Sequence, residues 1–129
     1  MRVAGTRQNM LVQSQGSGFN APCVSLVPAF AALGNPIDLT PQSPGDSFVP
    51  AIEAVYADGA VDGIVAINCG LDVLQFGLGV ARGVAQTGKP TTAYVLDVPA
   101  VEAEIAAAGV LRFASPERAV AALTTRVSK

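Results

Sequence analysis

The sequence predicts an α/β fold, an open parallel sheet of four to five strands with helices on both faces. Three observations carry this. From residue 46 onward, segments with apolar residues at helical spacing alternate with short apolar runs. The runs are continuously apolar and rich in β-branched residues, the mark of strands covered on both faces. The connections are short and punctuated by Gly or Pro, as in successive strand–helix crossovers.

Each element follows from local chemistry. Asp46 or Ser47 is placed to cap a first helix whose Phe48, Ile52, Val55 and Tyr56 share a face. Pro50 falls in its first turn, where a missing N–H costs little, and Asp58-Gly59 supplies the stop. The apolar run 61–67 reads as a buried strand. A second helix spans residues 72–87, with Asp72 as its cap and Gly88 as its end. Leu74, Leu78, Ala81 and Ala85 form its stripe, widened by Val73, Val80 and Val84. Gly77, Gly79 and Gly83 lie inside this helix rather than at a strand–helix turn. They are therefore read as close helix packing, not as a dinucleotide fingerprint. After a turn at Lys89-Pro90, residues 91–96 form another buried strand.

Pro99 opens a third helix, with Val101, Ile105 and Ala108 inward, Glu102 and Glu104 outward, and Gly109 at its end. Residues 110–113 form a short strand. Ser115-Pro116-Glu117 is the clearest helix start: a capping hydroxyl, a proline with preset φ, and an acid at the positive end of the dipole. Ala119, Val120, Leu123 and Val127 face inward from it. The first 45 residues are less regular. A strand over 9–14, a glycine-rich turn at 15–18, a helix within 22–32 and an extended segment over 33–40 are expected there. The expected division is an irregular or remnant segment over 1–22 and one domain over 23–129.

Composition excludes much. The 129 residues contain no histidine, so no Ser-His-Asp or Cys-His pair, histidine metal ligand or phosphohistidine can form on this chain. Eight Lys plus Arg against ten Asp plus Glu give a net charge of -2, without the footprint of a nucleic-acid binder. Two cysteines, Cys23 and Cys69, are too few for a disulfide framework. No secretory leader opens the chain and no apolar run is long enough to span a membrane, so a soluble, cytoplasmic protein is expected. A mean hydropathy of +0.44 then calls for a sheet buried on both faces or a surface covered by a partner.

Gly16, Ser17 and Gly18 follow a strand and either cradle a phosphate through backbone N–H groups or form a plain turn. Asn35, Asp38 and Thr40 either hold their own loop or face a ligand or partner. Asn68, Cys69 and Gly70 close one strand and Asp97 closes the next, where ligands bind in open α/β sheets. A crevice would draw on these residues and on Ser115. Cys69 stands near a helix start without any histidine to serve as its base, so a small, semi-buried thiol is the simpler reading. Cys23 has no supporting context. Lys89 reaches a phosphate only if the crevice extends to its turn, and Arg118 pairs or snorkels on the surface. Glu102 and Glu104 are two apart on a helix and do not face each other. No catalytic residue and no metal ligand emerges.

Gly34-Asn35-Pro36-Ile37-Asp38-Leu39-Thr40 resembles the GNPxDLT signature of NDP-forming acyl-CoA synthetases, relatives of succinyl-CoA synthetase. Tyr56-Ala57-Asp58 with Val61-Asp62-Gly63-Ile64, then Gly88-Lys89-Pro90, then Ala108-Gly109-Val110 through Ser115-Pro116-Glu117-Arg118-Ala119-Val120, are similar to further motifs of that family, in order, from about residue 27 onward. Met10 through Gly18 matches the family's SGGxG loop poorly, because one glycine is displaced.

The resemblance implies the flavodoxin-like ligase domain of the family. It implies CoA and a nucleoside triphosphate with Mg as ligands of the whole assembly, none bound by this chain alone. It also implies a phosphoryl-carrying histidine, an ATP-grasp domain and a Rossmann CoA-binding domain, all supplied from elsewhere. The expected partners are a second copy or CoA-binding and ATP-grasp chains, with no nucleic acid and no membrane. Three functions remain open: such a ligase domain as a subunit or a fragment of a larger assembly, a non-catalytic binding or scaffold module that kept the fold, and an independent small enzyme or redox protein using Cys69.

Overall fold

In the computed structural model, which describes residues 9–14, 37–39, 45–59 and 61–127, the sheet is organised around one long strand. The elements are β1 (Asn9–Ser14), β2 (Ile37–Asp38), α1 (Phe48–Ala57), β3 (Val61–Cys69), α2 (Leu74–Thr87), β4 (Thr91–Leu96), α3 (Pro99–Ala107), β5 (Leu111–Arg112) and α4 (Pro116–Val127). The strand order is β2-β1-β3-β4-β5. β3, β4 and β5 are parallel, and four helices accompany them. β1 is antiparallel to both β2 and β3.

The mostly parallel sheet expected is a three-stranded parallel unit with an antiparallel extension over β1 and β2, a direction the sequence did not reveal. The reason is physical. An apolar run reads the same in both directions, and only the connection sets strand direction. The first 45 residues lack the regular helix–strand alternation that announces a crossover.

β3 is covered on both faces. Ile64 and Ala66 pack with Phe48, Ile52, Tyr56, Phe76, Val80, Val101 and Ile105, so α1, α2 and α3 share one side. Val65 and Ile67 pack with Ala119, Val120 and Leu123 of α4 on the other. The period-two alternation of a strand puts successive residues into different cores. Full burial of one such aliphatic side chain contributes about 1.5–3 kcal/mol.

Glycine sets the spacing of the helix layer. A Cβ added at Gly83 would lie 2.1 Å from Tyr56 Cδ2, and one at Gly79 would lie 2.9 Å from Ile52 Cδ1. A Cβ at Gly77 would come within 3.1 Å of the Val101 carbonyl oxygen. The close packing expected of these glycines is thus what brings α2 against α1 and α3. The Tyr56 ring is held at its far end. Its buried hydroxyl lies 2.8 Å from Thr91 Oγ1, and Thr91 in turn donates to the Lys89 carbonyl at 3.1 Å. Thr91 has one proton to give, so Tyr56 donates to it. Burial raises the Tyr56 phenol above its ordinary value.

Helix starts differ in detail from expectation. Ser115 Oγ accepts from the Arg118 N–H at 3.2 Å, the cap read from the sequence. Ser47 holds the cap position of α1 without a side-chain capping bond, because a 3-10 turn over Gly45–Ser47 has already made its backbone helical. Asp72 is not the cap of α2; Val73 is, in extended conformation. At the other end, Gly88 closes α2 with φ 67°, where L side chains are strained.

Gly83→Ala is expected to destabilise the fold by about 2–3 kcal/mol, since overpacking against a pinned ring outweighs the roughly 1 kcal/mol of helix propensity gained. A urea midpoint at or above wild type would refute this packing account. The phenol gives a second expectation. Its folded pKa is raised, so its contribution is complete below the unfolded value of about 10 and is lost as pH rises beyond it. Stability measured upward from that pH should fall more steeply in wild type than in Tyr56→Phe; parallel curves would contradict the assignment.

Candidate functional site

β3 and β4 end in register, with Cys69 opposite Leu96. Each is followed by a residue with left-handed backbone: Gly70 at φ 92° and Asp97 at φ 56°. Among the described residues Asp97 is the non-glycine with positive φ, and a short polar side chain tolerates that region better than most. Two of the sequence candidates, Gly70 and Asp97, are thereby brought to the same level of adjacent strands, at the carboxyl edge of the sheet. Both are exposed.

Asn68 is fully buried and does something more specific than its position suggested. Its Nδ2 donates to the Leu71 carbonyl at 3.0 Å, and its Oδ1 accepts from the Leu71 N–H at 2.8 Å. The Val73 N–H also donates to the Leu71 carbonyl, at 2.9 Å. One carboxamide thus binds both backbone polar groups of Leu71 and pins the loop that enters α2. This explains the displaced cap: the clamp at Leu71, not Asp72, shapes the approach to the helix. Cys69, half-buried, packs against the cluster of Val65, Ile67, Ala119, Val120 and Leu123 on the α4 side, as Tyr94 and Phe113 do. The strand alternation turns it away from the face that carries α2.

Asp38 pairs with Asn9 at the far side of β1 from β3, one strand removed from the edge formed by β3 and β4. Gly16, Ser17, Gly18, Asn35 and Thr40, with Cys23, lie outside the described residues. β1 ends at Ser14, opposite Val61 at the amino end of β3. It therefore runs toward the edge opposite Asn68, Gly70 and Asp97. Lys89 also belongs to that amino edge, where its Nζ donates to the Asp58 carbonyl at 2.7 Å and ties two turns together. A shallow depression between Val84, Gly88, Lys89, Pro90, Thr91, Gly109 and Val110 lies there too, away from the strand ends where ligands of open sheets bind.

The carboxyl edge has a feature that the element-by-element reading passed over. Asp46, Asp72, Asp97 and Glu117 are all exposed, and each stands at the start of one of the four helices. Gly45 lies beside Gln75 of the first turn of α2, which places the start of α1 at this edge as well. The signal was available: Asp recurs two positions before Phe48, Leu74 and Pro99. Among the described residues no group of three or more His, Cys, Asp or Glu could hold a metal ion, and no helix is long and apolar enough to cross a membrane.

No family model matches the chain, and no curated protein does. Solved structures do. A dinucleotide-forming acetyl-coenzyme A synthetase 1 of Ca. Korarchaeum cryptofilum aligns with TM-score 0.64 and 25% identity over 79% of this chain and 24% of that one. The same values hold for its complex with phosphate and ADP. The chain resembles part of an acetyl-CoA synthetase. This agrees with the resemblance carried by residues 34–40 and the motifs that follow. PH0766 of Pyrococcus horikoshii OT3 aligns with TM-score 0.67 and 21% identity over 83% of this chain and 28% of that one, a likeness of fold alone. The chain spans about a quarter of the length of these structures.

Asn68→Ala removes both bonds to half-buried Leu71, whose carbonyl then keeps only the bond from the Val73 N–H. A loss of about 2–3 kcal/mol is expected, together with faster amide hydrogen exchange at Leu71. Unchanged exchange there would show that the clamp does not hold the loop.

Proposed function

We propose that this chain is the flavodoxin-like, ligase-type domain of an NDP-forming acid–CoA ligase, working with chains that bind nucleotide and CoA. The observation that carries this is the alignment itself. Most of the chain matches an acetyl-coenzyme A synthetase, yet it accounts for only 24% of that protein. Two further points support the dependence on partners. The resemblance implies a phosphoryl-carrying histidine, and this chain has none. The motifs over 34–120 resemble, in order, those of the family's ligase domain. On this reading the assembly is cytoplasmic, and Asn35, Asp38 and Thr40, with the carboxyl edge at Asn68–Gly70 and Asp97, frame a site whose reacting groups come from another chain.

Co-expression with ATP-grasp and CoA-binding chains should give a stable complex that forms acyl-CoA from acid, CoA and a nucleoside triphosphate, with no turnover from this chain alone. Neither complex nor activity would sink the proposal. The missing histidine also favours a second reading, a scaffold module that kept the fold without the chemistry. A complex that assembles but turns over equally well without this chain would select that reading.

A further inference from the structure

Asn68 stands where the pattern of β3 calls for an aliphatic residue. Ile64 and Ala66, on the same face of the strand, are core residues, and an apolar side chain at 68 would continue that core without needing partners. Asn68 does need them. It is fully buried, and a buried carboxamide without hydrogen bonds is costly. Both of its polar atoms go to the backbone of Leu71.

What these bonds hold is the exposed tip of a turn. A Cβ added at Gly70 would meet no atom within 4 Å. Glycine stands there for its φ of 92°, not for close contact as at Gly79 and Gly83. Leu71 and Val73 pack against the core, while Gly70 and Asp72 are exposed. Exposed turns of this kind are ordinarily among the first segments to open. This one is fastened from inside the sheet. It lies at the carboxyl end of a parallel strand, where open α/β sheets meet their ligands.

We infer that Asn68 is a positioning residue: through Leu71 it holds the Gly70–Asp72 turn in one conformation, so that the chain supplying the histidine docks against a fixed surface. This rests on the proposed ligase reading and deepens it by naming what orients the partner at the carboxyl edge. A loose turn would misplace the partner's reacting groups, and a displacement of about 1 Å costs on the order of a hundredfold in rate. Substrates held by other chains would bind as before, so the loss falls on kcat and not on KM.

The test uses the assembled complex and two glycines with left-handed backbone. Gly70 and Gly109, at φ 92° and 81°, both leave open space for a Cβ, so their alanine variants carry a similar strain. Gly109 lies at the amino edge. Gly70→Ala and Asn68→Ala should each lower kcat by roughly tenfold to a hundredfold with KM unchanged, whereas Gly109→Ala should lower neither. Gly70→Ala acts on the turn from outside the core, so the comparison stands even if Asn68→Ala does not fold. In wild type, amide exchange of residues 70–72 should slow on assembly while that of residues 88–89 stays as it was. Equal kcat in the two glycine variants, or no slowing at 70–72, would overturn the inference and leave the ligase reading in place. Wild type that gives neither complex nor turnover removes the ligase reading, and this inference with it.

Discussion

The approach of α2 to α1 governs the position of everything at the carboxyl edge. At Gly83 and Gly79 the helix has no side chain, so the Tyr56 ring and the Ile52 side chain enter the space where a Cβ would stand. Tyr56 is fixed in turn by its hydroxyl, bonded in the interior to Thr91 at the start of β4. One contact therefore ties two helices to a strand. Separation of α1 from α2 would open the core that covers β3 and shift the loop between β3 and α2. Helix propensity alone would put alanine at Gly83; tertiary packing overrides it.

Much of the fold was legible because most elements carry redundant signals. α1, α2, α3 and α4 each combine helical spacing with a start or stop residue, and β3 and β4 are apolar runs bounded by glycine or proline. The failures occur where one signal stood alone. β3 runs to Cys69 rather than ending near residue 67, because Asn68 and Cys69 still pair with Val95 and Leu96. A buried asparagine is a poor strand signal in sequence. It is accommodated here because its carboxamide is bonded to Leu71. β5 shrinks to Leu111–Arg112, since an edge strand with one neighbour needs little length and a short edge resists pairing with other chains. The direction of β1 was not legible at all.

The candidate site shows the same division. That Asn68, Gly70 and Asp97 lie at the carboxyl edge follows from the rule that α/β sheets end their strands on one side, and this needed no coordinates. What the side chains do there was not legible. A buried Asn that clamps its own loop and an Asn that points at a ligand have the same sequence, and only the partner of each amide atom tells them apart. The face that Cys69 takes was not legible for a related reason: a one-residue step along a strand reverses the face, and Cys69 packs against the cluster formed by Val65, Ile67 and α4.

The hydropathy of the chain and its missing histidine belong to one physical picture. A strand buried on both faces calls for apolar residues on each, with Val65 and Ile67 in one core and Ile64 and Ala66 in the other. Leu74, Leu96 and Leu111 remain 42%, 44% and 58% exposed, and scattered exposed leucines are ordinary on a protein surface. On the proposed reading, the histidine that this chain lacks comes from a partner, and the strand that builds both cores positions the carboxyl edge beside it.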